Sequence, residues 1–394
     1  MLAAGVLLAS AGLIPTLSAA PLPAPLSAID FSAHGSAIGA YNSNVLSSPG
    51  GPNKVDDYIF TFNPGLTLKY GGIEATTLTF DYTETFYRYL QRPALNEELS
   101  YVDFMVDRKQ GAFTLDGAFS FNQAYTNTPS SVNPALSSII RSDVINASGN
   151  ATWDYSDKFN FSTGIGYTQT RYLYSVGQAY QNTDTYTAPL SGYYVYSDEL
   201  SFGAGYTYSQ TNPDPAAASP GTPGRARYSH TFSLNTKLTK WNKLTGTASA
   251  GVTVNHIDAD SSSAQPALDT TTGSYALNLS YAYSDPLAFT LTGSRNFSTG
   301  VTGQNIEATT VGLGVNYKYS DNIYATANLI TYTYSQYLQQ NRQDDTKTTG
   351  FTVNWKPYNY LTLSAGYSYF MNSSDAPSST YNINIVTISG TVSY

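Results

Sequence analysis

Apolar and polar residues alternate strictly where the chain ends. Val386, Ile388, Gly390, Val392 and Tyr394 take one side of the alternation, and Thr387, Ser389, Thr391 and Ser393 the other. Period two is the mark of a strand, because successive side chains leave it on opposite faces. A chain end is usually frayed. Here a whole strand with one oily face runs to a final aromatic. The pattern recurs upstream. Phe159, Phe161, Ile165 and Tyr167 oppose Asn160, Ser162, Gly164 and Gly166. Leu244, Ala248, Ala250, Val252 and Val254 oppose Thr245, Thr247, Ser249 and Thr253, and Ile145, Ala147, Ala151 and Trp153 oppose Asn146, Ser148, Asn150 and Thr152.

Turn chemistry separates these runs. Tyr155-Ser156-Asp157, Tyr196-Ser197-Asp198, Tyr283-Ser284-Asp285 and Tyr319-Ser320-Asp321 each sit between two alternating segments. Short polar side chains there can bond the local backbone. Trp241-Asn242-Lys243, Pro357-Tyr358-Asn359, Tyr70-Gly71-Gly72 and Lys109-Gln110-Gly111 occupy equivalent places. The other connections are longer and rich in Ser, Pro, Asn, Asp and Gly: Ser43 to Asp56, Thr126 to Arg141, Asn212 to Gly224 and Asp258 to Asp269. The repeat of roughly forty residues is a pair of strands of ~10–13 residues, one tight turn and one longer loop. The pattern predicts an all-β transmembrane antiparallel up-and-down β-barrel of about eighteen strands, with short periplasmic turns and long extracellular loops. Sixteen strands result if the first hairpin is irregular. A soluble β fold is the alternative, but its strands would average ~5–6 residues. The inner positions here are Thr, Ser, Asn and Gly, which cannot make a dry core.

Composition agrees. Charged residues are 12% of the chain, whereas Tyr numbers 35 and Gly 31. After residue 20 no apolar run approaches the ~20 residues of a membrane helix. With no cysteine, neither a disulfide nor a thiolate metal site is possible. The net charge of −8 and the lack of a basic stripe argue against a nucleic-acid partner. Met1–Ala20 is one run of apolar and small residues ending Ser18-Ala19-Ala20, which reads as a secretory signal peptide. It lacks a basic start, and Pro21 follows, so cleavage near Ala24 or Ala28 is the alternative. Residues 29–394 are then a single barrel domain.

Parity assigns faces. Tyr70, Tyr155, Tyr196, Tyr283, Tyr319 and Trp355 fall on the outward face at strand ends, as an aromatic girdle would. Asp81, Asp103, Asp107 and Asp116 point inward on strands three to five and could form a cation-attracting wall. Inward bases are Arg225, Arg227, Lys237, Lys243 and Lys318, on strands ten, eleven and fourteen. A transverse field across the lumen is expected if the two sets face each other. His34 and Ser36 form His-x-Ser on the first strand. That pairing resembles part of the outer-membrane phospholipase pattern, but both point inward, away from any lipid substrate. His230 and His256 fall near loop-side strand ends. Asp258-Ala259-Asp260 and Asn341 to Asp345 read as acidic loop tips and match no defined calcium loop.

The segment from Tyr41 to Leu66 runs Tyr41-Asn42-Ser43-Asn44-Val45, a Ser/Pro/Gly stretch, Asp56-Asp57-Tyr58-Ile59-Phe60 and Asn63-Pro64-Gly65-Leu66. It resembles the opening of the β-barrel porin type 2 family of Gram-negative outer-membrane proteins. Beyond it, the likeness is one of Tyr-rich hairpins and the terminal aromatic strand. The resemblance implies an outer-membrane location and a passive pore or a link to surface polysaccharide. It supplies no catalytic residues. Pro64 would sit within a strand paired on both sides, so a bulge is expected there.

A barrel of this size leaves an aqueous channel. The stretch before the first strand is too short for a plug or coupling arm. The expected function is passive diffusion of small hydrophilic solutes, with the loop from Thr126 to Arg141 as candidate constriction. A non-conducting surface barrel, an adhesin or a polysaccharide-export accessory, is the alternative. No enzyme activity and no cofactor are expected. Expected partners are outer-membrane lipid and lipopolysaccharide, small solutes, and the barrel-assembly machinery through Val386, Ile388, Val392 and Tyr394.

Overall fold

The computed structural model describes residues 29–50, 54–73, 75–128, 138–173, 181–213, 225–259, 266–300, 305–338, 342–376 and 379–394. Met1–Ala20, the expected signal peptide, lies outside them. Eighteen strands run β1 (Ile29–Asn42), β2 (Asp57–Ile73), β3 (Thr76–Tyr89), β4 (Glu97–Gln110), β5 (Phe113–Thr128), β6 (Ser138–Ser156), β7 (Phe159–Leu173), β8 (Thr183–Ser197) and β9 (Leu200–Pro213). The second half is β10 (Arg227–Trp241), β11 (Leu244–Ile257), β12 (Leu268–Ser284), β13 (Leu287–Thr299), β14 (Asn305–Lys318), β15 (Ile323–Tyr337), β16 (Arg342–Tyr358), β17 (Leu361–Ser374) and β18 (Tyr381–Ser393). Each strand pairs antiparallel with its sequence neighbours. β18 pairs with β1 and closes the cylinder, with Gly35 opposite Val392 and Tyr41 opposite Val386. Ala33 and Tyr394 exchange both backbone hydrogen bonds at 2.9 Å, so the C-terminal residue is part of the seam. Closure leaves no sheet edge, which the hydrocarbon requires.

The Ser-Asp turns work as their chemistry suggests. Ser156 Oγ accepts the amides of Lys158 and Phe159 at 3.3 and 3.2 Å. Ser320 Oγ does the same for Asn322 and Ile323 at 3.3 and 3.1 Å. Ser197 Oγ accepts the Glu199 amide at 3.3 Å. Replacing Ser156 with Ala removes one acceptor from two amides and is expected to cost about 1 kcal/mol. Urea unfolding in lipid vesicles measures this, and an unshifted midpoint would assign the turn to the backbone alone.

The two faces divide as parity requires. Ile165, Leu234 and Ile388 point outward and are 72%, 71% and 64% exposed on the isolated chain. Large apolar side chains so bare on a closed barrel face lipid. Inward positions carry Thr, Ser, Asn and Gly, joined across strands by hydroxyl pairs such as Thr231–Thr253 at 2.9 Å and Thr310–Thr333 at 3.0 Å. Among the described residues only Val45, Tyr89, Leu99 and Ile257 are buried and apolar. That is far too little for a dry core.

Three expectations need correction. Strands are 13 to 19 residues long, longer than the hydrocarbon demands, because they continue as polar ribbon on the loop side. Thr126–Thr128 and Ser138–Arg141 are therefore strand. The rest of that supposed constriction, 129–137, lies outside the described residues. Arg342–Asp345 is likewise the start of β16, not a loop tip, and Asn341 lies outside. Finally, no bulge forms at Pro64. Phe62 still faces Phe86 and Gly65 still faces Thr83; only the two rungs between are skipped. Keeping the register preserves the inside–outside division that a one-residue slip would invert. Pro189 behaves the same way: Thr163 faces Leu190 and Gly166 faces Thr187, with two rungs skipped.

Candidate lumen site

The register brings the four inward carboxylates together on β3, β4 and β5. Asp81 lies directly opposite Asp103, and Asp107 directly opposite Asp116. The two acidic rungs flank Met105, which faces Thr79 and Ala118 and is 44% exposed. Like charges directly across a sheet repel, so the Asp107–Asp116 rung relies on solvent and the Asp81–Asp103 rung on neighbouring hydroxyl donors. Asp81 accepts a hydrogen bond from the Thr67 hydroxyl at 2.5 Å. Asp103 is 8% exposed. Among the described residues, Asp103, Asp107 and Asp116 enter no ion pair.

His34 belongs to the same wall. Its ring lies over Gly65, where an added Cβ would collide with Nε2. Nε2 is 3.1 Å from Thr83 Oγ1 and 3.9 Å from an Asp81 oxygen, and Nδ1 is 3.4 Å from Thr67 Oγ1. Ser36 instead accepts from the Asn63 amide at 2.9 Å. His34 and Ser36 thus have separate partners, and both face the lumen.

The basic residues do not form an opposing wall. Lys237 faces the lumen between Ser201 and Thr247. Lys243 is in the β10–β11 turn and donates to the Tyr283 carbonyl at 2.8 Å. Lys318 pairs at 2.7 Å with Asp321 in the β14–β15 turn that follows it. The Lys318 hydrogen bond holds the Asp321 carboxyl below its ordinary range. Arg225 precedes β10 and donates to the carbonyls of Asp258 and Pro266. Arg227 opens β10 at its loop-side end, 8% exposed, with Thr211 Oγ1 at 3.4 Å. Parity placed these groups on a face but not at a height.

A hydrogen-bonded cluster fills the loop-side rim, where an acidic loop tip was expected. Arg342 Nε donates to Asp344 at 2.9 Å, and its guanidinium lies 4.4 Å from the centre of the Tyr337 ring. Tyr337 and Ser374 hydroxyls donate to the same carboxylate at 3.1 and 2.5 Å. This cluster clamps β15, β16 and β17. Asp345, next in sequence, faces outward and takes the Tyr332 hydroxyl. On the outer rim, His230 bonds the Tyr206 hydroxyl at 2.8 Å and His256 bonds Asp269 at 2.6 Å. Asp258 lies 3.3 Å from His256, and Asp260 is outside the described residues.

Tyr155, Tyr196, Tyr283, Tyr319 and Trp355 are 61%, 64%, 58%, 72% and 50% exposed at the turn end of the barrel. Tyr70 shares the outer face, opposite Ile29 and Leu78. Tyr358 and Tyr360 stack at 5.4 Å in the same zone. Val386, Ile388 and Val392 face outward in β18, and Tyr394 is 91% exposed.

A closed barrel with an apolar outer wall and a hydrated, charged interior defines an outer-membrane β-barrel, and this protein is one. No known protein family matches the sequence, and no curated protein does. Solved structures share the fold. The unliganded ferric citrate transporter FecA is 11% identical with a TM-score of 0.50, over 93% of this chain and 79% of that one. OpdK from Pseudomonas aeruginosa, solved with vanillate, is 10% identical with a TM-score of 0.50, over 93% of this chain and 99% of that one.

Proposed function

We propose that the protein is a porin-like channel for passive diffusion of small hydrophilic solutes. One observation carries this reading: carboxylates stand opposite carboxylates on an otherwise small and polar inner face. Such rungs persist where water and mobile cations screen them. Barrels of 16–18 strands are wide enough to hold an aqueous channel. The Tyr41–Leu66 opening fits the β-barrel porin type 2 family, and the outward Tyr and Trp residues fit a headgroup-level girdle. The outward residues of β18, ending on Tyr394, fit an assembly signal. Purified, folded protein is expected to give stable conductance steps in planar bilayers. A silent bilayer would replace this reading with a non-conducting surface barrel.

A further inference from the structure

The outer face of β3 and β4 carries charge where lipid should be. Outward positions on β3 read Leu78, Phe80, Tyr82, Glu84, Phe86 and Arg88. Their neighbours on β4 include Val102, Ser100 and Glu98. Glu84 has an apolar ring on each side along its own strand. Its carboxylate accepts the Tyr82 and Ser100 hydroxyls, both at 2.7 Å. Among the described residues no cation pairs with it. A carboxylate turned toward hydrocarbon is costly, and a protein surface would shield it. Just beyond, Arg88 Nη2 lies 2.5 Å from Glu98 Oε1, with side chains 45% and 57% exposed. The Arg88 guanidinium also sits 5.6 Å from the Phe86 ring centre.

We propose that this face docks a second copy of the chain about a twofold axis along the membrane normal, passing through the Arg88–Glu98 pair. Two copies inserted with the same orientation can be related only by rotation about the normal, so residues of equal height meet. A twofold contact must be self-complementary. An adjacent cation and anion on the axis satisfy that rule. Arg88 meets the partner's Glu98 and Glu98 meets the partner's Arg88, a ring of four charges alternating in sign. The flanking Phe86 supplies apolar contact, and Glu84 leaves the lipid. The other candidate occupant, lipopolysaccharide, offers phosphates to Arg88 but nothing for Glu84 or Glu98.

The test is protein mass in detergent by light scattering, with detergent subtracted, on wild type, Glu98→Lys and the swap Arg88→Glu/Glu98→Lys. These side chains are exposed, so the barrel tolerates the changes. Wild type is expected to be a dimer. Glu98→Lys places four cations on the axis and should shift the dimer to monomer at the same concentration, at least tenfold weaker. The swap should restore the dimer. A monomeric or trimeric wild type, a dimer indifferent to Glu98→Lys, or a swap that fails to rescue would each overturn the proposal. None of these outcomes depends on whether the barrel conducts.

Discussion

Replacing Asp103 and Asp107 together with Asn is expected to lower the cation-over-anion permeability ratio by about three- to ten-fold. The two substitutions together remove one charge from each acidic rung, so neither rung repels itself any longer. Unit charges about 4 Å apart in water interact by roughly 1 kcal/mol, and about 1.4 kcal/mol is tenfold in a ratio. Salt shortens the reach of each carboxylate to about 10 Å at 0.1 M, which sets the lower end of the range. Among the described residues the basic side chains named above do not assemble opposite the acidic set, so wild type should prefer cations. Reversal potentials across a salt gradient measure the ratio. Lys318→Gln is the control, because that lysine is engaged with Asp321 outside the lumen. An unchanged ratio in the double variant would remove the rungs from the permeation path.

Leu234→Arg should destabilise the barrel by about 2–4 kcal/mol, the range for a cation at mid-depth on the lipid face. Leu234 lies midway along β10 and is 71% exposed to what the membrane fills with acyl chains. Ser233→Arg, one residue away, points into the lumen beside Gly205 and should cost no more than about 1 kcal/mol, because water there keeps the guanidinium solvated. The comparison isolates the solvent on each side, since strand, depth and new side chain are the same. Urea-induced unfolding in vesicles reads both. Equal losses would contradict the division of faces.

Alternation along the chain made the fold and the faces legible. It put Asp81, Asp103, Asp107 and Asp116 in the lumen, and the register then paired them. Strand count followed from turn chemistry, which is local. Height along the barrel was not legible, because parity repeats every two residues and carries no information about depth. Arg225, Lys243 and Lys318 were therefore assigned to a wall they do not reach. Strand ends were misjudged at Thr126, Arg141 and Arg342, where polar ribbon continues above the hydrocarbon and looks like loop. The His34 seat over Gly65 and the Arg88–Glu98 pair depend on cross-strand register, which one strand's sequence does not encode.

Interruptions of the ladder give the wall uneven stiffness. Rungs are missing between β2 and β3 at Pro64, between β7 and β8 at Pro189 and between β15 and β16 from Asn328 to Thr331, and the seam between β18 and β1 is unbroken but only nine rungs long. Lateral pressure on such a hoop bends it first at these weak ribs. Its outline would relax toward an oval there.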